Sequence, residues 1–317
     1  MRIINDSVNS PVSSATADPT KAYCATIGFF DGVHQGHRFL LQQVAQAARD
    51  RGLSTMAITF GEHPRQTLQS DYQPLLLTTP NEKLNLLSSC GLDACTVLHF
   101  TKEMAEVSAY DFMKEYLYNR FRVRCLVIGY DHHFGRRSNE GFEDYKAYGQ
   151  EIGIEVLLAT PLQNEEFTVS SSVIRRFLTA GNVEKAQQCL ERPYHLHGTV
   201  STGHQMGRKL GFPTANLILE HPYLLVPAHG VYAIYAETEG KRYPAMLNIG
   251  CRPTVNNGKN NTIEAHLFGF DGNLYGKELT LYFMHRLREE KKFESLEQLQ
   301  AQLNIDAEQT LQLLSPC

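Results

Sequence analysis

The chain has 317 residues, of which 42% are hydrophobic and 20% are charged, and its formal net charge at pH 7 is -4. A chain of this length fits two folded domains better than one core. The acidic balance argues against a nucleic acid as the main partner, so any phosphate group must be bound by local donors.

The sequence also bears on the compartment. No apolar run approaches the roughly 18 residues of a membrane span, and the polar start, Met1–Lys21, lacks the apolar core of a signal peptide. Seven scattered cysteines with no CxxC pair favour free thiols over disulfides or a zinc site. We expect a cytoplasmic protein with no membrane and no nucleic-acid partner. We also expect a monomer or a weak homo-oligomer.

Strand and helix patterns alternate over the first 160 residues. Tyr23–Ile27 is a short β-type run that ends in a glycine-rich turn, and a helix follows from Gln35 to Arg49. The same rhythm predicts strands at Leu53–Phe60, Ala94–His99, Cys125–Gly129 and Glu155–Ala159, and helices at Asn81–Ser89, Ala109–Arg120 and Gly141–Gln150. Such repetition requires a parallel sheet with right-handed crossovers, so we predict a doubly wound, Rossmann-like α/β domain. Whether Ile3 and Ile4 begin an edge strand is left open.

The pattern changes in the second half. Ser170–Glu191 predicts two short helices, and from Tyr194 onward the apolar period is two. The predicted strands are His197–Ser201, Val231–Glu237, Tyr243–Ile249, Thr262–Leu267 and Glu278–Phe283. Gly, Asn and Pro turns between them predict a small antiparallel β-barrel. A C-terminal helix is predicted over Ser295–Leu314, with Ser295 as N-cap and an apolar stripe of Leu296, Leu299 and Leu303. We place the domain boundary after residue 187.

The loop from Gly28 to His37 carries the densest chemistry of the first half. It follows the first strand of the predicted sheet and opens a helix, where unpaired N–H groups and the helix dipole favour phosphate. His34 and His37 are three residues apart, so both imidazoles can face one phosphate. Nucleotidyl transfer needs donors of this kind rather than an enzyme nucleophile. The alternative is that both are ordinary histidines near a helix cap. The loop is neither a Walker A loop nor a GxGxxG motif.

A second cluster, Val169–Arg176, follows the last strand of the first domain and opens a helix. Ser171 lies at the helix start, and Arg175 lies one turn inside, where it could reach back to the same phosphates. Hydroxyls at a helix start are also common as simple caps, so this alternative stays open.

The third candidate site lies in the predicted barrel. Gly203 and Lys209 belong to a loop rich in glycine and cations that can cradle phosphates. Thr214 and Asn216 are two apart, so in an extended chain both side chains face the same way and can help to hold Mg²⁺ bound to ATP. The alternative is a turn followed by a capped strand.

Glu264 is the candidate base of the same site. A carboxylate within the predicted strand Thr262–Leu267 is unfavourable unless it is exposed or functional. A hydroxyl that accepts a phosphoryl group needs a base within hydrogen-bond reach. The alternative is a strand residue that faces solvent.

Motifs of the first half resemble a known family. The HxGH loop, the run Val127–Gly135 and the SSSxIR segment, in that order, are similar to the adenylyltransferase half of the bacterial bifunctional riboflavin kinase/FAD synthetase family. The resemblance implies that His34 and His37 hold the ATP phosphates, that Arg175 stabilises pyrophosphate and that Asp131 lies beside the nucleotide or FMN. It implies further ligand contacts at Gly28, Phe30, Asp31, Gly32 and Ser171. The chain departs from the family at His132 and at Gly61-Glu62.

Motifs of the second half resemble the kinase domain of the same family. They are Gly207–Asn216, Asn248–Thr254, Glu264–Leu267 and Leu287–Phe293. By this resemblance Thr214 and Asn216 lie at Mg-ATP, with Gly203, Lys209 and Pro213 at the nucleotide. Glu264 is the base for the terminal ribityl hydroxyl, Arg288 lies in a flap against the flavin, and His266 is a strand residue rather than a catalyst. The expected ligands are riboflavin, FMN, FAD, ATP and Mg²⁺.

Three alternatives remain at this point. Either half could be degenerate, which would leave a kinase or an adenylyltransferase alone. The chain could bind flavin without turnover. It could also be a cytidylyltransferase-like or tRNA-synthetase-like protein, which would share the HxGH loop but lack the barrel.

Overall fold

Residue contacts divide the chain into two units, Met1–Ser170 and Ser171–Cys317. The computed structural model describes residues 1–6, 18–69, 71, 73, 75–129, 134–135, 140–162, 168–201, 210–253 and 259–315. The two short helices predicted within Ser170–Glu191 belong to the second unit. The predicted boundary after residue 187 falls inside the second of these helices, and it stays a prediction.

The first unit is built on a six-stranded parallel sheet in the order β1-β4-β3-β2-β5-β6. Its strands are β1 (Arg2–Asp6), β2 (Tyr23–Ile27), β3 (Ser54–Phe60), β4 (Ala94–Leu98), β5 (Val123–Ile128) and β6 (Glu155–Leu158). Its helices are α1 (Gln35–Arg51), α2 (Pro64–Leu68), α3 (Pro80–Ser88), α4 (Lys102–Ala105), α5 (Ala109–Asp111), a π-helix (Phe112–Arg120) and α6 (Phe142–Ile152). The predicted α/β class is confirmed, and the segment that contains Ile3 and Ile4 is indeed an edge strand.

Both faces of this sheet are covered. On one face Cys24 and Cys125 pack against Val44 and Ala48 of α1. On the other face Tyr23 and Ala25 of β2 pack in a core with Leu117 of the π-helix and Tyr145 of α6. Side chains alternate between the two faces of a strand, so strands buried on both faces are apolar throughout. The strand order reverses between β2 and β5, which places the loop after β2 at the topological switch point where such sheets bind ligands.

One predicted helix differs in its geometry. The pattern over Ala109–Arg120 predicts an α-helix, but after Asp111 the chain continues as a nine-residue π-helix. Its wider turn is closed by bonds such as that from the Phe121 N–H to the Tyr116 carbonyl, at 2.8 Å. The buried residues are Phe112, Met113, Leu117 and Arg120.

The second unit contains a closed antiparallel barrel in the order β10-β11-β8-β7-β12-β9. Helices α7 (Ser171–Thr179) and α8 (Val183–Leu190) precede it, and helix α9 (Leu296–Leu314) follows it. The strands are β7 (His195–Ser201), β8 (Ala215–Leu219), β9 (Gly230–Thr238), β10 (Lys241–Pro253), β11 (Lys259–Leu267) and β12 (Glu278–Arg288). The predicted barrel and its C-terminal helix are confirmed. Strand β12 runs five residues beyond its predicted end, so that Arg288 lies at the end of a strand.

The C-terminal helix buries other residues than the predicted apolar stripe. Ser295 caps α9 as expected, but Leu296 is exposed, and the buried residues are Asp306, Thr310 and Leu314. The reason is an ion pair. The Asp306 carboxylate, 1% exposed, accepts bonds from Arg288 Nε at 3.0 Å and Nη2 at 2.7 Å. Gln302 donates a further bond to the same carboxylate at 2.9 Å.

We expect Asp306→Ala to lower the free energy of unfolding of the second unit by about 3 kcal/mol, because it leaves the Arg288 guanidinium without its carboxylate. Hydrogen exchange of the β9 and β12 amides measures this loss. Glu308→Ala, an exposed change on the same helix, is the control. Equal exchange in the two variants would contradict the assigned role of the ion pair.

Candidate active sites in the two units

The loop after β2 turns sharply at the carboxyl edge of the parallel sheet. Gly32 has a φ of 81°, and the non-glycine residues Phe30 and Val33 also have positive φ, at 56° and 39°. Left-handed backbone is uncommon for a bulky residue and unusual for a β-branched one, and it is often retained at functional sites. Both side chains are buried in the core with Leu41, which holds this backbone in place. The Gly28 N–H donates to the Ile58 carbonyl at 3.0 Å and so fixes the start of the loop.

Phe30 and Asp31 of this loop are engaged by the protein itself. The ring of Phe30 is 2% exposed, so a ligand contact at this residue would have to come from its main chain. Asp31 accepts bonds from the N–H groups of Leu77 at 2.9 Å and Thr78 at 3.2 Å. The Gly32 N–H donates to the Thr78 hydroxyl at 3.1 Å. Asp31 therefore ties the loop to the segment before α3, and its predicted ligand contact stays a prediction.

The structure brings His34 and His37 together. Their rings are stacked, with centroids 3.7 Å apart and an interplanar angle of 18°. His34 is the N-cap of α1, and its Nδ1 accepts the His37 N–H at 3.4 Å, so the neutral ring carries its proton on Nε2. The Nδ1 of His37 is buried and has no hydrogen-bond partner among the described residues. A buried polar atom of this kind marks the place of a bound ligand or water.

His37 is held in its neutral form. Burial lowers the pKa of His37 well below its ordinary value, and the nearby cationic forms of His34 and Lys83 lower it further. At neutral pH His37 therefore offers a phosphate an N–H hydrogen bond rather than a positive charge. Because phosphate oxygens are strong acceptors, such donors at a helix N-terminus still fit a phosphate site.

Lys83 is a candidate site residue that our sequence analysis did not identify. It lies on α3 and is only 4% exposed. Its Nζ donates to the Phe60 carbonyl at 2.7 Å and lies 4.2 Å from the centre of the Phe29 ring. Lys83 therefore joins the loop after β2 to the end of β3. The signal was in the helical period, since Lys83 precedes the buried Leu87 by four residues and shares its face.

The segment after β3 reaches the same loop. His63 is the N-cap of α2 and its ring lies edge-on to Phe29, with centroids 4.7 Å apart. The Thr59 hydroxyl donates to the Phe29 carbonyl at 3.1 Å. The Gly61–Pro64 segment, in which the sequence departs from the family pattern, is thus in contact with the histidine loop.

Ser171 and Arg175 open α7 in the second unit, on its first two turns. This is the predicted helix start, and both side chains are half-buried. Their contact with phosphate stays a prediction. Asp131, Gly203 and Lys209, which the sequence also predicts as ligand-binding residues, lie outside the described residues.

The barrel brings Thr214, Asn216 and Glu264 together on its outer face. Strands β8 and β11 are antiparallel, and Asn216 lies directly opposite Glu264. The Thr214 hydroxyl lies 3.4 Å from the Glu264 Oε2. The neighbouring strand residues Ala215 and Ala265 are buried in the interior. Because strand residues alternate between faces, Asn216 and Glu264 share the outer one, and the contact with Glu264 places the Thr214 hydroxyl beside them.

This set suits a hard divalent cation. The Thr214 hydroxyl and the Asn216 amide oxygen are ligands of the kind that Mg²⁺ accepts, while it keeps other positions for water and phosphate. The Glu264 carboxylate lies beside them as the candidate base. Asn248 of β10 lies opposite Glu264 on the other side, so Glu264 stands between two asparagines. Asn248 belongs to the motif Asn248–Thr254 of the second half. Its spacing from Glu264 in the sequence does not predict that the two residues are paired across strands.

A cavity of about 130 Å³ adjoins Thr214. Its wall is mainly apolar and includes Pro213, Leu267, Phe270 and Tyr275. The cavity is smaller than the roughly 300 Å³ of the smallest typical ligand pockets, so it has room for only part of a substrate.

Arg288 has a structural partner. Its guanidinium is held by Asp306, as described for α9, and its side chain is 14% exposed. The predicted contact between Arg288 and the flavin stays a prediction.

We expect the stability difference between the wild type and Lys83→Met to depend on pH. Burial lowers the pKa of Lys83 from 10.5 to about 8, with Asp31 opposing the shift. As pH rises from about 8 to 10.5 the folded state loses this proton while the unfolded state keeps it, so the wild type gains stability. The gain is about 3 kcal/mol over this window and is absent below it.

Denaturant unfolding of the first unit at pH 7 and at pH 10 measures this difference. Lys102→Met, which removes an exposed lysine charge, is the matched control and should track the wild type. Parallel stability curves for Lys83→Met and the wild type would contradict the burial of a charged ammonium.

Comparisons with known proteins identify the family of both halves of the chain. A family model described as FAD synthetase matches residues 16–173, and one described as riboflavin kinase matches residues 190–314. The bifunctional riboflavin kinase/FMN adenylyltransferase of Escherichia coli (strain K12) is 34% identical over 289 residues, covering 91% of each chain. Its counterpart from Bacillus subtilis (strain 168) is 33% identical over 294 residues, covering 91% of this chain and 92% of that one.

A solved structure is similar over the full length. It comes from Streptococcus pneumoniae and is described as a macrolide-efflux protein, with a TM-score of 0.87, 31% identity and coverage of 97% of this chain and 98% of that chain. Within the part of this chain that the structure describes, no helix has both the length and the apolar character needed to cross a membrane. The two family models and the full-length relatives show that the chain belongs to the family of bacterial bifunctional riboflavin kinase/FMN adenylyltransferases.

Proposed function

We propose that the protein phosphorylates riboflavin with ATP to form FMN and then adenylylates FMN with a second ATP to form FAD, releasing pyrophosphate. The observation that carries the proposal is the convergence of Thr214, Asn216 and Glu264 on one face of the barrel. The strained histidine loop at the switch point of the parallel sheet supports the second activity. The relatives from Escherichia coli and Bacillus subtilis both have the two activities in their names.

In the kinase reaction the terminal ribityl hydroxyl of riboflavin attacks the γ-phosphorus of ATP. An oxygen–phosphorus bond forms to the flavin, the bond to ADP breaks, and the hydroxyl proton passes to Glu264. Glu264 is a half-buried carboxylate on a strand, which fits an orienting base. Thr214 and Asn216 would hold Mg²⁺ through their side-chain oxygens, and the cation, when bound, would neutralise charge on the ATP phosphates.

The cavity beside Thr214 is assigned to the adenine ring of ATP. Phe270 and Tyr275 in its wall offer aromatic surface to a planar heterocycle. With the ring there, the triphosphate would extend from Thr214 toward Asn216 and Glu264.

In the adenylyl transfer a phosphate oxygen of FMN attacks the α-phosphorus of ATP, and pyrophosphate leaves. The acceptor is already an anion, so no enzyme nucleophile is required. His34 and His37 would donate N–H hydrogen bonds to oxygens whose charge grows in the transition state. The Gly28–Gly32 backbone and the helix N-terminus add fixed donors and a favourable dipole.

The cytoplasm, Mg²⁺ as the metal and a monomer or weak homo-oligomer are parts of the same proposal. Six described cysteines are free thiols. The scattered cysteine pattern, with no CxxC pair in the sequence, supports a reducing compartment.

We expect His37→Ala and Glu264→Ala to separate the two activities. His37→Ala should reduce FAD formation from supplied FMN by about 10²-fold or more while FMN formation from riboflavin persists. Glu264→Ala should do the reverse. Both products are measured by chromatography after incubation with flavin and Mg-ATP. The activity that each variant keeps shows that the variant protein is folded. Equal loss of both activities in either variant would refute separate sites.

A further inference from the structure

His266 makes a side-chain hydrogen bond where the pairing of β8 and β11 stops. In the antiparallel pairing of these two strands, Glu264 lies opposite Asn216 and Ala265 lies opposite Ala215. Continued in register, the next pair would be His266 with Thr214. At that point the strand pairing ends, and the His266 Nδ1 instead lies 2.8 Å from the Pro213 carbonyl oxygen. A side-chain hydrogen bond from His266 thus continues the contact between the two segments where their main-chain pairing ends.

The chemistry of this contact fixes the state of the ring. A carbonyl oxygen only accepts, so Nδ1 carries the proton and donates it. Burial lowers the pKa of His266, an effect that the Pro213 carbonyl opposes. The ring also lies edge-on to Phe212, with centroids 5.3 Å apart, and to Phe268, with centroids 5.0 Å apart. One hydrogen bond and two aromatic contacts therefore hold the imidazole in one orientation.

Thr214 depends on what holds Pro213. Thr214 follows Pro213 directly and lies just before β8. The pairing of β8 with β11 therefore does not include Thr214. Its hydroxyl nevertheless lies within 3.4 Å of Glu264. Proline has no N–H, so the carbonyl is the main-chain group through which Pro213 can be held by a hydrogen bond.

We infer that His266 is a positioning residue for the kinase reaction: by holding the Pro213 carbonyl it sets the Thr214 hydroxyl beside Glu264 and so prepares the Mg-ATP site. This inference rests on the proposed kinase function. His266 is not assigned a contact with substrate or a proton transfer.

The test compares three substitutions. Asparagine can place its amide N–H near the position of Nδ1, glutamine carries the same amide one carbon further out, and leucine has no donor. We expect His266→Leu and His266→Gln to raise the Mg²⁺ concentration needed for half-maximal FMN formation by about tenfold, the cost of one hydrogen bond. His266→Asn should stay within about twofold of the wild type. FAD formation from supplied FMN should be unchanged in all three.

The outcomes separate the possibilities. A wild type that forms no FMN would refute the proposed function itself, and the inference with it. With an active wild type, equal Mg²⁺ dependence of the Asn and Gln variants would overturn the inference, as would wild-type Mg²⁺ dependence of His266→Leu. If the leucine variant does not fold, the comparison of the Asn and Gln variants still tests the inference. Both variants carry the same amide group, at different distances from the main chain.

Discussion

The pairing of β8 with β11 is the contact on which the proposed kinase site depends. It puts Asn216 opposite Glu264, although 47 intervening residues separate them in the printed sequence. The barrel interior takes the alternate residues, which leaves the polar ones on the outer face with Thr214. A small closed barrel has its interior filled by side chains, so a substrate site on its outside is the arrangement that this fold allows. The register between β8 and β11 therefore determines which side chains meet at the proposed kinase site.

The first unit meets a different constraint. A chain with net charge -4 must hold a triphosphate, yet the paired histidines at the helix start are not a pair of cations. In the proposed adenylyltransferase site the loop would bind phosphate through directed N–H groups, and the packing of its buried side chains fixes its backbone. Its left-handed residues are buried, Asp31 ties it to the segment before α3, and Lys83 ties it to the end of β3. Preorganised donors of this kind need no rearrangement when charge develops on a phosphate.

Much of the fold could be predicted from sequence because strands and helices leave a period in the apolar residues. The strand β2 and the capped start of α9 were predicted at their observed bounds. Side-chain partners far along the chain leave no such period. Asp31 was interpreted as a ligand residue, and nothing in the sequence indicated that it also accepts bonds from the N–H groups of Leu77 and Thr78. The buried end of α9 was missed because Asp306 is polar, and its burial depends on the bonds that its carboxylate accepts from Arg288 and Gln302.

The most direct test of the account follows the phosphorus atoms of ATP through the wild-type protein. Purified protein is incubated with riboflavin, Mg²⁺ and ATP labelled at either the γ- or the α-phosphorus, and FMN and FAD are separated. The account predicts that γ-label enters FMN and persists in FAD, whereas α-label enters FAD alone. Label from the α-phosphorus in FMN, or bound flavin that gains no label from either position, would contradict it.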